Sequence, residues 1–194
     1  MMVAQKSTPR LKALYKDEVS TKTLAEFGLV NRHQLPQIEK VIVNCGIGRL
    51  LENQKLKPEI RDTVIDTLTT ITGQRPIMVM ARKSVSNFKV REGAPSAIMV
   101  TLRGDRMWHF IDRLINLAIP RIKDFRGVRD DAFDHAGSYG MGLTEQAVWP
   151  EINMARVNFT HGMNINICFR NSSPEKSLFV LKELGMPFVR KDES

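Results

Sequence analysis

The chain has 194 residues, 42% of them hydrophobic, and its 29 Lys and Arg residues outnumber 21 Asp and Glu residues to leave a formal net charge of +8. This length and hydrophobic content predict one globular domain spanning residues 1–194. The positive charge favours a polyanionic partner and argues against an acidic solvating role, while a merely basic soluble protein is the alternative that charge alone leaves open.

Cysteine usage and the absence of long apolar runs indicate the compartment. Cys45 and Cys168 are too few and too far apart in sequence to indicate a disulfide scaffold, and no C-x-x-C motif occurs. We therefore expect both to be reduced core residues. The N-terminus lacks the apolar run of a secretory signal, and no stretch of about 18 consecutive apolar residues is present. These features predict a cytosolic protein without a membrane span.

The first strand signal follows a charged N-terminal segment that is expected to be helical. Residues 38–46 alternate between two sets of side chains, which are Val41, Val43 and Cys45 on one side and Lys40, Ile42 and Asn44 on the other. This period of two residues predicts a strand with one mixed face.

A helix and two strands are predicted next. Apolar residues recur at helical spacing over residues 57–72, namely Ile60, Val64, Leu68 and Ile71, and Gly73 follows where a left-handed cap is expected. Residues 75–81 and 96–104 resemble neighbouring strands. The second of these alternates Ile98, Val100 and Leu102 with Met99, Thr101 and Arg103. A basic segment lies between the two strands.

The strongest helix signal covers residues 106–119, with Asp105 as its expected cap and Pro120 at its end. Its apolar face consists of Met107, Phe110, Ile111, Leu114, Leu117 and Ala118. Two further strands are predicted from the alternation of Tyr139, Met141 and Leu143 and of Met163, Ile165, Ile167 and Phe169. A Ser cap, a Pro in the first turn and a final Gly predict a short helix over 172–185. Strands and helices interleave without regular alternation, which predicts an α+β fold with a largely antiparallel sheet packed against helices.

Enzyme motifs are incomplete in this sequence. Gly46-x-Gly48 at the end of a strand resembles the start of a dinucleotide site, but Leu51 stands where the third Gly should be, and Pro58 places the next helix far downstream. A glycine-rich turn is therefore favoured over a nucleotide-using enzyme. The four His residues are scattered, which favours surface or hydrogen-bonded roles, and carboxylates such as those of "RDDAFD" have no visible partner base. We expect no catalytic residue, metal or cofactor.

Two basic segments carry the main functional signal. Residues 80–93 place four cations, Arg82, Lys83, Lys89 and Arg91, around Phe88. Such a segment can bind RNA by neutralising phosphates and stacking on an exposed base, or it can be a charged hairpin with Phe88 in the core. A second basic stretch contains Arg121, Lys123, Arg126 and Arg129. Two separated basic patches fit an extended polyanion better than a small ligand and predict salt-sensitive binding.

Several longer strings make the sequence specific. "PQIEKVIVNCGIG", "ITGQRP", "RKSVSNFKVREG", "VTLRGDRMWHFIDRLINLAIPRIKDFRGV", "PEI" and "LGMPF" occur in this order between Arg10 and Phe188, and "RLKALY" stands near the start. In order and spacing they closely resemble the bacterial-type large-subunit ribosomal protein L-five family. The resemblance implies an α+β RNA-binding protein of the central protuberance, with a protruding basic loop between two strands.

The same resemblance implies the partners of the chain. These are 5S rRNA, a segment of 23S rRNA, P-site tRNA near the protruding loop, the small-subunit head protein called S-thirteen in an intersubunit bridge, and neighbouring large-subunit proteins. It also implies a cytoplasmic ribosomal location with no membrane partner. The positions that match family residues facing 5S rRNA are Lys40, Asn44, Phe88, Lys89, Arg91, Thr101 and Arg103. The positions that match the tRNA-facing tip are Arg82, Lys83 and Ser84.

The sequence departs from the family pattern at a few positions. Met80 and Ala136 stand where the family usually has Arg, and Asn87 stands where it usually has Gly. His161 and Asn164 also replace a more charged pattern. Two cations of the family pattern are therefore absent, at Met80 and Ala136. Asn adopts left-handed backbone conformations more readily than most residues, so we expect the turn at Asn87 to be retained.

Overall fold

The computed structural model describes residues 8–50, 56–88, 90–153, 157 and 159–189, with only the backbone of Arg49. Its α-helices are α1 Arg10–Leu14, α2 Ser20–Glu26, α3 Pro58–Thr72, α4 Gly104–Arg113 and α5 Pro174–Glu183. Its strands are β1 Gln37–Gly46, β2 Ile77–Met80, β3 Pro95–Leu102, β4 Tyr139–Leu143 and β5 Met163–Arg170. Within these residues, no helix has both the length and the apolar character needed to cross a bilayer.

The strands form a five-stranded antiparallel sheet in the order β2-β3-β1-β5-β4. β1 and β3 pair from Val41↔Leu102 to Gly46↔Ala97, and β2 pairs with β3 from Ile77↔Met99. The predicted α+β class is therefore confirmed. β1 and β3 neighbour each other although α3 and β2 separate them in sequence, which is the interleaving that the predicted elements indicated.

The chain forms two compact units. Unit 1 comprises Met1–Lys40, Arg103–Tyr139 and Ile167–Ser194, and unit 2 comprises Val41–Leu102 and Gly140–Asn166. Unit 1 contains α1, α2, α4 and α5. Unit 2 contains α3, β2, β3 and the larger part of β1.

In unit 1, α1 packs on α4 through apolar and charged contacts. Leu11 is buried, and the Arg10 and Lys12 side chains form ion pairs of 2.6 Å with Asp112 and Asp105. The α-helical hydrogen bonding of α1 widens into a π-helical turn at Tyr15–Val19 and returns in α2. The charged N-terminal segment is thus helical from Arg10, as the sequence predicted.

In unit 2, α3 packs on β3 and ends as expected. Val64, Leu68 and Ile71 of its apolar stripe are fully buried, while Ile60 is half-buried. Gly73 has φ +66 and forms the left-handed C-cap, a conformation that favours glycine. On β1, Val41, Val43 and Cys45 are fully buried and the alternate side chains are partly exposed, which confirms the predicted mixed face.

The structure corrects two predictions at α4. Its N-cap residue is Arg103, and Asp105 lies in the first turn, where it pairs with Lys12 instead of capping the helix. Leu117 is 45% exposed and does not join the buried apolar face. The helix changes to π-helical hydrogen bonding at Leu114–Ala118, and the extra residue in that turn rotates Leu117 away from the face that a regular 3.6-residue period predicts.

Further predictions concern the cap of α5 and the two cysteines. Ser173 caps α5 by accepting a hydrogen bond from the Lys176 N–H, as predicted. Both cysteines are free. Cys45 is fully buried, but Cys168 is only half-buried, so the prediction that both lie in the core was wrong for Cys168. Cys168 follows Asn164 and Asn166 on the less buried side of β5.

Candidate nucleic-acid interface

The less buried side of β1 and β3 presents a mixed polar and apolar surface in unit 2. Asn44 pairs with Met99 and Ile42 pairs with Thr101, and all four side chains are partly exposed. Residues two apart on a strand point to the same side, so Asn44 and Thr101 lie diagonally across the β1–β3 ladder. An amide and a hydroxyl are thereby presented on one surface.

Gln74 reaches the same strand and was not singled out from the sequence. Its Nε2 atom donates to the carbonyl oxygen of Thr101 at 3.2 Å, and its backbone N–H donates to the Thr72 hydroxyl oxygen at 3.3 Å. The only local signal was a polar residue directly after the helix-ending Gly73. Its contact with β3 is made across 27 positions in sequence, which no local pattern encodes.

Lys40 and Arg103 belong to unit 1 and lie one residue beyond the paired residues Val41 and Leu102. The Arg103 side chain is exposed and that of Lys40 is half-buried. A cation therefore lies next to each residue of the Val41–Leu102 pair, at one end of the β1–β3 ladder.

A hairpin of residues 81–94, here called the basic hairpin, joins β2 to β3. Ala81 and Ala94 close its base through an N–H to carbonyl bond of 2.8 Å, and Val85 and Val90 bond to each other reciprocally at 2.9 and 3.2 Å. Near its middle, the Ser84 hydroxyl oxygen accepts a hydrogen bond of 2.9 Å from the Glu92 N–H. The hairpin is therefore held by bonds of its own backbone and one side chain.

The described charged side chains of the basic hairpin and its Phe88 ring face solvent. Arg82, Lys83 and Arg91 are exposed, and in the described part of the chain none of them forms an ion pair. Phe88 ends a 3-10 turn and is 78% exposed, so the alternative that placed it in the core was wrong. Lys89 lies outside the described residues. An exposed ring beside unpaired cations is the combination that stacks on a base and neutralises phosphates.

Phe88 also borders a groove of about 750 Å³ in unit 2. Val90, Leu143 and Met163 supply its apolar lining, and three glycines and one amide complete it, namely Gly46, Gly48, Gly162 and Asn164. Glycines leave the backbone open to close approach by a flat ligand. The groove is large enough for a small planar group beside the Phe88 ring.

A buried hydrogen-bonded cluster includes Gly162, which also lines this groove. The Cys45 thiol donates to the Gly162 carbonyl oxygen at 3.2 Å and lies 3.3 Å from His161 Nδ1. The His161 N–H donates to Gln146 Oε1 at 2.6 Å. Burial lowers the pKa of His161 and raises that of Cys45 to about 11, so the imidazole and the thiol are both neutral near pH 7. The cluster holds the backbone at Gly162 through a hydrogen bond and adds no charge to the groove.

Two arrangements that enzyme chemistry would use can be compared with the described residues. The turn after β1 is a 3-10 turn at Gly48–Leu50, and the next helix among the described residues, α3, begins at Pro58. Within the part of the chain that the structure describes, no helix N-terminus adjoins the Gly46-x-Gly48 turn to receive a pyrophosphate. Among the described residues, no group of three or more His, Cys, Asp or Glu is placed to hold a metal ion.

The second basic stretch lies in unit 1. Arg121, Lys123 and Arg126 are exposed. Arg129 is also exposed, but its guanidinium donates to both carboxylate oxygens of Asp131 at 2.9 and 2.7 Å. This bidentate pair leaves Arg129 less available to a polyanion than the sequence suggested.

Comparison with known proteins identifies the family of the chain. Residues 31–91 match the family described as ribosomal protein L5, and residues 95–188 match the C-terminus of the same ribosomal family. The chain belongs to the ribosomal protein L5 family. It is 46% identical over 185 residues to the large ribosomal subunit protein uL5 of Leifsonia xyli, which covers 95% of this chain and 93% of that one. It is 45% identical over 181 residues to the uL5 protein of Synechocystis, covering 93% and 98%.

Membership in the L5 family confirms the resemblance found in the sequence. The chain is a protein of the large ribosomal subunit and is not an enzyme. It is part of the ribosome, which is cytoplasmic in bacteria. The family match omits the positions between residues 91 and 95, at the end of the basic hairpin, but includes Phe88 and the strands on either side.

Proposed function

We propose that this L5-family chain fixes 5S rRNA in the central protuberance of the large subunit through the less buried side of β1 and β3 and through the basic hairpin. The observation that carries the proposal is the exposure of Phe88, a residue that is 78% accessible although large apolar side chains are normally buried. Such exposure has a physical reason when the ring covers a base of a bound RNA.

Different side chains have different roles in this proposal. Lys40, Lys89, Arg91 and Arg103 contact phosphates and hold the RNA without reading its sequence. Phe88 stacks on a splayed base, with the groove beside it as the place where that nucleotide fits. Asn44 and Thr101 supply hydrogen-bonding groups that can distinguish base edges or a 2′-hydroxyl.

The tip of the basic hairpin has a separate role in the proposal. Arg82 and Lys83 are exposed and unpaired within the described part of the chain, and Ser84 orders the backbone that carries them. We assign them to the P-site tRNA, because cations on a loop can follow a moving phosphate backbone without reading bases. The chain further takes part in contacts with 23S rRNA, in the bridge to the small-subunit head protein S-thirteen and in contacts with neighbouring large-subunit proteins.

The proposal is tested by filter binding of the purified full chain to 5S rRNA. The matched control is a transcript of the same length and base composition with a scrambled sequence, and ATP and NAD serve as small-molecule competitors. We expect tight, salt-dependent binding of 5S rRNA, weaker binding of the scrambled RNA and no competition by either nucleotide. Equal affinity for both RNAs, or displacement of 5S rRNA by NAD, would contradict the proposal.

A further inference from the structure

Unit 1 contains a pocket that the assigned RNA contacts do not use. It has a volume of about 530 Å³, within the range of small-molecule and nucleotide sites. Its floor is apolar and partly aromatic and is formed by Tyr15, Leu24, Leu35, Ile38 and Trp108. The Tyr15 and Trp108 rings pack against each other with centroids 5.5 Å apart.

The rim of this pocket is cationic. Lys12, Lys16 and Arg32 line it, and its described lining contains no carboxylate. The Lys12 Nζ atom is already paired with Asp105 at 2.6 Å. Lys16 and Arg32 are exposed and form no ion pair with any residue of the described chain. Two free positive charges thus flank an apolar floor.

Hydrogen bonds hold the walls of the pocket in place before any ligand arrives. The Tyr15 hydroxyl donates to the Pro36 carbonyl oxygen at 2.5 Å, which ties α1 and its π-helical turn to the segment before β1. Asn31 caps the 3-10 turn that carries Arg32 by accepting the His33 N–H at 2.9 Å. Asn171 Nδ2 donates to the His33 carbonyl oxygen at 3.0 Å. A site held in this way loses less entropy on binding.

We propose that this pocket binds one unpaired nucleotide of an RNA strand, with the base on the apolar floor and the adjoining phosphates on Lys16 and Arg32. Gln37, Ser20 and Thr21 also line the pocket and provide hydrogen-bonding groups for a base edge. RNA is favoured over an acidic peptide because a nucleotide combines a flat apolar base with a phosphate on each side. The base matches the apolar floor, and the two phosphates match the two cations, Lys16 and Arg32. This second RNA site shares no residue with the proposed 5S rRNA contacts.

Tryptophan fluorescence provides a readout at the pocket itself. The chain has two tryptophans, so Trp149→Phe leaves Trp108 as the only one. Trp149 is fully buried, and Phe retains much of its volume. The probe is a single-stranded oligoadenylate of about 12 nucleotides, long enough to fill one single-strand site. We expect its binding to quench Trp108 fluorescence in the free chain and in a preformed complex with 5S rRNA.

Charge variants distinguish oligoadenylate binding at the pocket from nonspecific electrostatic attraction to the basic chain. In the Trp149→Phe background, Lys16→Glu combined with Arg32→Glu is expected to weaken oligoadenylate binding by about tenfold or more and to reduce the salt slope by about 1.4, which corresponds to two single-strand phosphate contacts. Lys182→Glu combined with Arg170→Glu changes the net charge by the same amount at two exposed residues outside the pocket lining. This matched control should change the affinity by less than about twofold.

The outcomes distinguish this site from the 5S rRNA proposal. Loss of oligoadenylate binding with unchanged 5S rRNA affinity supports a separate pocket. Absence of Trp108 quenching in the free chain, or equal losses in the pocket variant and the charge-matched control, would overturn the inference. Displacement of the oligoadenylate by an acidic peptide of Glu and Leu would show that the pocket is a peptide site instead. If the chain fails to bind 5S rRNA, the proposed function is contradicted, whereas quenching of Trp108 by the oligoadenylate in the free chain still supports the pocket.

Discussion

The Ser84 hydroxyl oxygen accepts a hydrogen bond from the Glu92 N–H at 2.9 Å, across the basic hairpin. We predict that Ser84→Ala lowers the protection of the Glu92 amide from hydrogen exchange, because the substitution removes the acceptor of that N–H. Global stability should change by less than about 1 kcal/mol, since the bond is solvent-exposed. The measurement is amide exchange by NMR, with Ser96→Ala on the exposed side of β3 as the control. Unchanged exchange at Glu92 would show that the bond does not order the hairpin.

Charge reversal at the hairpin tip is predicted to affect tRNA and spare 5S rRNA. Arg82→Glu with Lys83→Glu should weaken P-site tRNA binding to ribosomes that carry the variant, because the two substituted side chains then repel the tRNA backbone. Affinity of the purified chain for 5S rRNA should stay within about threefold of the parent. The control is P-site tRNA binding to ribosomes that carry the Lys182→Glu variant instead. A large loss of 5S rRNA binding by the tip variant would refute the separation of the two roles.

Lys40 tests the phosphate contacts on β1. Lys40→Glu should weaken 5S rRNA binding more than Lys40→Gln, since reversal adds repulsion to the loss of attraction. Each variant should also reduce the dependence of log K on log salt by about one unit or less, as expected for one phosphate. Filter binding over a range of salt concentrations measures both effects. Parallel salt plots for the parent and both variants would remove Lys40 from the interface.

The buried His161 predicts a pH dependence of stability. Its folded pKa is lowered from 6.5 because burial disfavours the imidazolium, and its Nε2 atom is buried without a partner among the described residues. The unfolded chain therefore binds more protons as pH falls below 6.5, and the free energy of unfolding decreases there, by at most about 1.4 kcal/mol per pH unit. Stability contributed by neutral His161 is fully present above the ordinary pKa.

Denaturant unfolding at about pH 7.5 and about pH 5.5 measures this dependence. His161→Gln should show a smaller loss of stability between the two pH values, even if it is less stable at both. His109→Gln, which changes an exposed histidine of α4, should retain the parent dependence. An identical pH dependence in the parent and in His161→Gln would assign the effect to other groups.

Local patterns predicted the elements of this fold because their determinants are close together in sequence. The alternation along β1 and the stripe of α3 ending at Gly73 each depend on spacings of a few residues. Regular periodicity failed at Leu117, because the π-helical turn changes the number of residues per turn without a sequence signal. Asp105 was mistaken for a cap because its actual partner, Lys12, lies 93 positions away.

The candidate site depended more on long-range contacts. The sequence placed cations around Phe88 but left its burial open, and only the fold showed that the ring faces solvent beside the groove. Gln74 and the Cys45–His161 contact join residues far apart in the chain, so composition and spacing carried no sign of them. The pocket of unit 1 likewise brings together α1, α4 and the segment before β1.

The most direct test of the account is the affinity of Phe88→Ala for 5S rRNA. Base stacking on an aromatic ring contributes about 1–3 kcal/mol, so the variant should bind roughly 5- to 150-fold more weakly, whereas Phe88→Trp should retain affinity. Val30→Ala is the matched control, because Val30 is an apolar residue that is 99% exposed and is not among the assigned contacts. A folded Phe88→Ala protein that binds 5S rRNA as tightly as the parent would contradict the central claim.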